Sequence, residues 1–567
     1  MFANGGKAIE ITRSLAAALR RFRDSKIFVA LWADAVCINQ ADLRERADQV
    51  RIMGKIYASA IQVNVWLGRV GDRAWHDALC SLLKAQDISS NKSVLRYLSF
   101  CLGDMMSEVV GDLDISTHRF GLDSWFGWLA ILSCCPWFSR LWVIQEVALA
   151  RSAIFFTDRQ NCTQDALSSV LDQALTLRHA DSLEMFRLLK DVGRMRIAVQ
   201  AKKFAFESER CEILARYSHL PCQNDLDRVY SLLGLSSTLC DFPIDYQKTT
   251  EKVYVDFAIS CIAKEGPGTV FLSSTCGKEH NKLPSWVPDW RKGFPSKFGM
   301  FSDSAKLHAA CPAAHQGLAS RHIKADRARL AIAAFIVDKL DKCAPTSRDI
   351  GNLEGGYFKP KELNTVLAKT FCKWQTFFRA SQDSLLRVLF CNVLRGLDAQ
   401  PREVTRADSE TVERFWITIE DARASQENIL RGLDRVLLQQ CVLNAQLFLT
   451  LSGQPGNAIT GVQAGDLVAL FPGCRIPFII RPAEDVAEQK SFRLISPCYI
   501  QGAMNGEALW DTFMAKANPA EKTAFQKDFE SLQEKIAVGI EDTEQKALRA
   551  ELADKHCRHL FEEIVLV

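Results

Sequence analysis

Residues 31–68, LWADAVCINQADLRERADQVRIMGKIYASAIQVNVWLG, decide the fold of the first part of this chain. The stretch begins at the end of an apolar run, 27–32, whose unbroken hydrophobicity predicts a parallel strand buried on both faces. Asp34 follows that run, so we expect it at the carboxyl end of the strand. Apolar residues at helical spacing then predict a helix over 42–58, and IQVNVWL predicts a second strand over 61–67.

The alternation of helices and strands continues on both sides of this stretch. Apolar residues at a 3.6-residue period predict a helix over 8–22, and AIFFT predicts a further strand over 153–157. Residues 69–123 are interpreted as a helical excursion, followed by helices over 124–133 and 140–150. This order is typical of βαβ units, so we expect an α/β domain with a parallel sheet.

The rest of the chain is predicted to be mainly helical, with a small antiparallel β unit where Pro and Gly punctuate short apolar runs. A chain of 567 residues is too long for one ordinary core, because domains average about 100–200 residues. We predict an α/β domain at 1–160, a helical and mixed extension at 161–345, a helical region at 346–460, the β unit at 461–510 and charged C-terminal helices at 511–567.

Composition excludes several classes of protein. The 70 basic and 67 acidic residues nearly balance, which gives no electrostatic reason to expect nucleic acid as a partner. The 19 cysteines contain no C-x-x-C pair, so we expect no metal site, and their irregular spacing favours reduced thiols in a cytoplasmic protein. No run of 18 apolar residues occurs, so no membrane span is expected.

Three blocks carry a resemblance to a known family. The first is residues 31–68; the second is PWFSRLWVIQE at 136–146; the third is DLDRVYSLLGL at 225–235, followed by Asp245 and Tyr246. Together they closely resemble the motifs of fungal heterokaryon-incompatibility (HET) domain proteins. The segment from 465 to 508 resembles the usual C-terminal part of the same proteins more loosely.

The resemblance has one departure at the N-terminus. Members of the family usually begin with a strand and a Ser-Tyr-x-Trp-Gly segment, whereas this sequence starts almost at the first helix. We therefore expect an N-terminally truncated HET domain whose sheet lacks its first strand. Either the chain is truncated or a gene-model error removed that strand, unless another segment fills the gap.

HET domains resemble TIR domains distantly, and the order of elements implies a TIR/flavodoxin-like parallel sheet. Some TIR domains cleave the nicotinamide–ribose bond of NAD, a reaction in which a carboxylate near the ribose is useful. By its place in the second block, Glu146 is the candidate catalytic residue, with Trp142 as a stacking platform and Arg140 beside it. The competing interpretation is that Glu146 and Arg140 tie down a helix and that Trp142 belongs to the core.

Asp34, Asn39 and Gln40 are the other candidate ligand-binding residues, because ligands of open α/β sheets bind at the carboxyl ends of strands. Asp34 has an alternative role, capping the next turn through its own backbone. Cys37 is interpreted as a small buried hydrophobic residue.

The resemblance implies a role in nonself recognition and programmed cell death in a fungus, and three mechanisms stay open. The HET domain is an interaction module that self-associates or binds a protein partner, a hydrolase that consumes NAD as its substrate, or an inactive relic. We favour the interaction module. No cofactor is indicated with certainty.

Overall fold

The computed structural model describes residues 9–23, 30–68, 137, 140–158, 161–164, 210–218, 220–235, 241–275, 282–291, 311, 329–346, 369–370, 373–374, 377, 446–459, 461–484, 490–500, 502–504, 506–537 and 542–567. These residues fall into two units. The first comprises described residues within 1–208 and 217–250, and the second comprises those within 209–216 and 251–567.

The elements of the first unit alternate between helices and short strands. In chain order they are α1 (Arg13–Phe22), α2 (Asp34–Cys37), α3 (Leu43–Ser59), β1 (Val63–Trp66), α4 (Val143–Ala148), β2 (Ala153–Phe156), β3 (Asn161–Thr163), then, after α5 (Arg210–Tyr217), α6 (Asp227–Tyr230) and a 3₁₀ turn (Leu233–Leu235). Only the last residue of α5 belongs to this unit.

A small sheet forms the centre of the first unit. Strands β1 and β2 are parallel, with Val63 opposite Ala153, and β3 continues the sheet antiparallel to β2. Helix α1 packs on it through Phe22, whose ring lies 5.0 Å from that of Phe156. The predicted parallel sheet near the N-terminus is therefore confirmed.

Helix α3 forms where the helical spacing of apolar residues predicts a helix. Asp42 caps its start by accepting from the backbone N–H groups of Arg44 and Glu45, at 2.9 and 3.2 Å. Its buried residues, Ala47, Val50, Met53 and Gly54, lie on one face because they are three or four positions apart.

The prediction of a strand at 27–32 is wrong for the residues that the structure describes. Residues 27–29 lie outside the described part of the chain, and residues 30–32 form no strand. Leu31 is 38% exposed, so this apolar run is not buried on both faces as the prediction required. Asp34 consequently begins helix α2 instead of ending a strand. The predicted helices at 69–123 and 124–133 lie outside the described residues.

The second unit contains helices and a large sheet. Its elements after α5 are α7 (Thr250–Glu265), α8 (Gly268–Thr275), β4 (Leu330–Cys343), β5 (Gln446–Thr450), β6 (Pro455–Ala458), β7 (Leu467–Leu470), β8 (Phe478–Pro482), β9 (Ser491–Ile500), α9 (Glu507–Lys516), α10 (Pro519–Ala537), α11 (Asp542–His556), a 3₁₀ turn (Arg558–Leu560) and β10 (Glu562–Leu566).

The large sheet closes on itself. Following the paired strands from β4 through β5, β6, β9, β8 and β7 leads back to β4. Strand β10 joins the starts of two of these strands, antiparallel to β4 and parallel to β9. Closure leaves few unpaired backbone edges, which protects a sheet of this size.

The β part is therefore larger than the small antiparallel unit predicted at 461–510. Strand β4 lies in the predicted mixed extension, β5 and β6 lie at the end of the predicted helical region, and β10 lies within the region predicted to form charged C-terminal helices. Strand β4 is rich in Ala, Leu and Lys, which resemble a helix locally. Pairing with strands more than 100 residues away determines its structure instead.

Three helices, α9, α10 and α11, lie wholly or partly in the region predicted to form charged C-terminal helices. Helix α10 begins with a capping box in which the Asn518 side chain accepts from Glu521 N at 3.0 Å and Glu521 accepts from Asn518 N at 2.9 Å. The described parts of α9, α10 and α11 share one apolar cluster, which includes Phe513, Phe525 and Leu552.

Candidate functional site

The turn after Asp34 is held by its own side chains. Asp34 Oδ1 accepts from Ala35 N at 2.8 Å, and Gln40 Nε2 donates to Asp34 O at 3.3 Å. Asn39 N donates to Glu45 Oε1 at 2.8 Å. Asp34, Asn39 and Gln40 are all exposed. The Asp34 carboxylate accepts from the next residue, whereas an Asx turn needs the N–H two residues on, so the capping role of Asp34 stays a prediction.

Glu146 lies in α4 among buried neighbours. The helix buries Val143, Ile144, Gln145, Val147 and Ala148, and Glu146 itself is half-buried. Burial raises the pKa of its carboxyl above the ordinary value, because desolvation disfavours the charged form.

Three of the predicted site residues act on one another electrostatically. The Arg140 guanidinium lowers the pKa of Glu146, the Asp34 carboxylate raises it, and a side-chain hydrogen bond from Trp137 lowers it, all by less than burial does. The structure thus brings together Asp34 from the first block and Arg140 and Glu146 from the second.

Tyr57, which was not identified as a site residue from the sequence, joins this group. Burial raises the pKa of its phenol well above the ordinary value, the Glu146 and Asp34 carboxylates raise it further, and Arg140 lowers it. Its ring packs edge to face against Trp32, with centroids 5.9 Å apart. The phenol consequently stays protonated and can act as a hydrogen-bond donor.

Trp142 contributes to a different cluster. Its indole Nε1 donates to Asp227 Oδ2 at 3.3 Å, and the same carboxylate accepts from Tyr246 Oη at 2.7 Å and from Arg46 Nη2 at 3.3 Å. The Arg46 guanidinium carbon also lies 4.0 Å from the centre of the Tyr246 ring. We call Asp227, Arg46, Trp142 and Tyr246 the Asp227 cluster.

Cys37 is exposed, so the prediction that it is a buried hydrophobic residue is wrong. It follows the exposed start of α2, whereas the buried apolar position of this turn is Ile38. Within the described ranges, no group of three His, Cys, Asp or Glu residues is placed to hold a metal ion. None of the helices in those ranges has the length and hydropathy to cross a membrane.

This group combines the Glu146 and Asp34 carboxylates with the Arg140 guanidinium and the Tyr57 phenol. Burial, which raises the pKa of Glu146, favours the protonated form of that carboxyl. Arg140 can bind an anionic group such as a phosphate, and Tyr57 can donate to a hydroxyl.

Comparison with known proteins agrees with the resemblance of the sequence blocks. A family model described as "Heterokaryon incompatibility protein (HET)" matches residues 2–146, and one described as "Het-6 beta-barrel domain" matches residues 422–515. Within the described residues, the second match covers β5 to β9 and most of α9, and both β4 and β10 lie outside it.

A curated relative is "Heterokaryon incompatibility protein 6, OR allele" of Neurospora crassa. It is 28% identical over 346 residues, covering 51% of this chain and 50% of that protein, so the chain spans about half the length of the relative it matches. No solved structure matches the chain significantly. With a HET match at 2–146 in its first unit and a Het-6 barrel match at 422–515 in its second, the chain carries a HET domain and is similar to the Neurospora protein over about half its length.

Proposed function

We propose that this chain acts in heterokaryon incompatibility, as a fungal nonself-recognition protein that triggers programmed cell death through its HET domain. The observation that carries this proposal is the joint presence of a HET match and a Het-6 barrel match in a homologue of a heterokaryon-incompatibility protein. In this proposal the HET unit self-associates or binds a protein partner. We place this action in the cytoplasm, which the irregular spacing of the cysteines in the sequence favours.

A second candidate function is cleavage of NAD by the same unit. The observation that favours it is the convergence of Asp34, Arg140 and Glu146, with Tyr57 added. In this mechanism the Glu146 carboxylate stabilises the developing positive charge on the ribose, and Arg140 binds the pyrophosphate. The parallel pair β1–β2, flanked by α1 and α3, supports the TIR/flavodoxin-like fold that the mechanism assumes.

The two functions are separated by expressing the full chain in a filamentous fungus and measuring growth arrest and cellular NAD together. The variants are Glu146→Gln, which keeps the shape of the side chain, and Glu10→Gln as a control, because Glu10 is an exposed glutamate of the same unit. The purified chain is assayed for NAD loss in parallel, at high concentration to favour self-association.

Each outcome decides between mechanisms. Growth arrest with NAD loss that Glu146→Gln abolishes and Glu10→Gln preserves supports the hydrolase. Growth arrest without NAD loss, equal in both variants, supports the interaction module. No growth arrest with any variant overturns the proposed role in cell death and leaves the inactive relic.

A further inference from the structure

We propose that Asp227 is a positioning residue for the Glu146 site, and that residues 220–235 and 241–246 complete the HET domain by fixing the orientation of α4. This rests on the proposed function in so far as Glu146 is the working carboxylate. The segment lies more than 70 residues beyond the end of the HET match at residue 146.

Asp227 connects three elements of the first unit through one carboxylate. Its side chain is 6% exposed and accepts from Arg46 in α3, from Trp142 at the start of α4 and from Tyr246. Tyr246 is in turn packed against Tyr230, with ring centroids 5.2 Å apart. Hydrogen bonds are directional, so three donors around one carboxylate fix orientation as well as distance.

The same segment meets α4 at two further points. Leu141 N donates to Pro221 O at 3.3 Å, which ties the residue before Trp142 to the segment. One turn later, the Gln145 side chain lies against the Cα hydrogens of Gly234 and Gly54, where a methyl group on Gly234 would overlap its amide. Helix α4 is thus held at residues 141, 142 and 145, all on the approach to Glu146.

Trp142 is linked directly to Glu146. Glu146 N donates to Trp142 O at 3.3 Å, the bond that closes the first turn of α4. A helix of six residues has no other means of fixing its rotation than its contacts, because short helices are not stable alone. Loss of the hydrogen bond from the Trp142 indole should therefore rotate or loosen the first turn of α4 and so move the Glu146 carboxyl.

A purely stabilising role is the alternative. A buried carboxylate with its donors often stabilises a protein no more than apolar residues of the same volume would. The position of the donors is what distinguishes the two roles, because one of them belongs to the helix that carries Glu146. The test therefore measures the environment of Glu146, and stability serves only as a control.

The experiment follows the ionisation of Glu146 in the full chain by NMR, with glutamate labelled at the carboxyl carbon and Glu146→Gln identifying the resonance. Trp142→Phe is the main variant, because it removes the indole donor while every charge remains. Asp227→Asn is the second, and Tyr246→Phe serves if Asp227→Asn does not fold. Asp466→Asn is the matched control, a buried aspartate with an arginine partner in the second unit.

In Trp142→Phe and Asp227→Asn, we expect the titration midpoint of the Glu146 carboxyl to fall toward that of an ordinary glutamate. The expected fall is about half a pH unit, which is a three-fold change in the protonation equilibrium. Loosening α4 admits water, and water favours the charged form. Asp466→Asn should lower the melting temperature and leave the midpoint unchanged. An unchanged midpoint in Trp142→Phe and Asp227→Asn, with only a lower melting temperature, overturns the proposal. Because the titration needs no turnover, absence of Glu146-dependent NAD loss refutes the hydrolase without deciding the role of Asp227.

Discussion

Gly234 lies where two backbone segments of the first unit come closest, and replacing it by alanine tests that packing. An added Cβ at Gly234 would be 1.7 Å from Gln145 Nε2 and 2.9 Å from Gln145 Cδ. Gly54 lies opposite, with its Cα 3.1 Å from the same Cβ. Gln145 is 1% exposed, so its amide has no solvent-filled space into which it can turn.

The overlap of the new methyl group with Gln145 decides whether Gly234→Ala raises or lowers the free energy of unfolding. Where the backbone permits it, Gly→Ala stabilises a protein by about 0.4–1 kcal/mol by restricting the unfolded chain. Gly234 is not among the glycines with positive φ, so this gain applies to it. Overpacking a filled core costs about 1–3 kcal/mol. We expect a net loss of about 2 kcal/mol, which lowers the melting temperature of the first unit by roughly 5 °C.

Calorimetry of the full chain measures this loss, with Gly268→Ala as the matched control. A Cβ at Gly268 would meet Gly473 O at 3.5 Å and Cys474 Cα at 3.8 Å, which are ordinary contacts, so this variant should stay within about 0.5 kcal/mol of the parent. Gln145→Ala should relieve part of the cost of Gly234→Ala, because the new methyl group fills space that the amide leaves. The reasoning is refuted if Gly234→Ala is as stable as the parent, or if the two substitutions are strictly additive.

Three further predictions concern charge and closure. Burial raises the pKa of Glu146, so the folded state loses stability as the pH rises through the pKa of this carboxyl in the folded protein. Glu146→Gln should therefore raise the melting temperature at pH 7 and have a smaller effect at pH 4. Calorimetry at both pH values measures this difference. Arg481→Met should lower the free energy of unfolding by about 3 kcal/mol in denaturant unfolding, because Asp466 is 1% exposed and loses hydrogen bonds of 2.7 and 2.9 Å. Lys490→Ala removes an exposed ion pair and should lower the free energy of unfolding by about 0.5 kcal/mol or less. Equal losses in the two variants would contradict this prediction. Deleting residues 562–567 removes the partner of the first residues of β4, so hydrogen exchange should accelerate there, and unchanged exchange would show that β10 does not protect that edge.

Local patterns in the sequence were sufficient to predict part of the first unit. The predicted helix at 42–58 is Leu43–Ser59, because one apolar face and the Asp42 cap both lie within the segment. The predicted strand at 61–67 contains Val63–Trp66. In both cases the residues that determine the element are neighbours in sequence.

Features that depend on distant residues were not predictable in the same way. The closed sheet requires β4 to pair with β5, β7 and β10, and no local pattern in an Ala-rich and Lys-rich segment indicates such partners. The apolar run at 27–32 failed for the opposite reason. Its hydrophobicity was visible, but whether it is covered on two faces depends on the rest of the fold.

The candidate site was predictable only in part. Glu146, Arg140 and Asp34 were identified from the family motifs and from the order of the elements. Tyr57 was missed because an amphipathic side chain at helical spacing is interpreted as core, although its hydroxyl is a signal that a polar partner lies nearby.

The contacts in the first unit divide the motif residues into two groups with different physical roles. Gly54, Gln145, Gly234 and the Asp227 cluster join the three blocks to one another, so packing and directional bonds alone explain why those residue types occupy those positions. Packing does not explain Glu146 in the same way, because burial of its carboxyl costs stability when the carboxyl is charged, and Asp34 adds to that cost. A leucine or a glutamine at that position would avoid this cost. A residue that opposes the stability of its own fold is the one for which a functional reason is needed, and this is why Glu146 is the first residue to substitute.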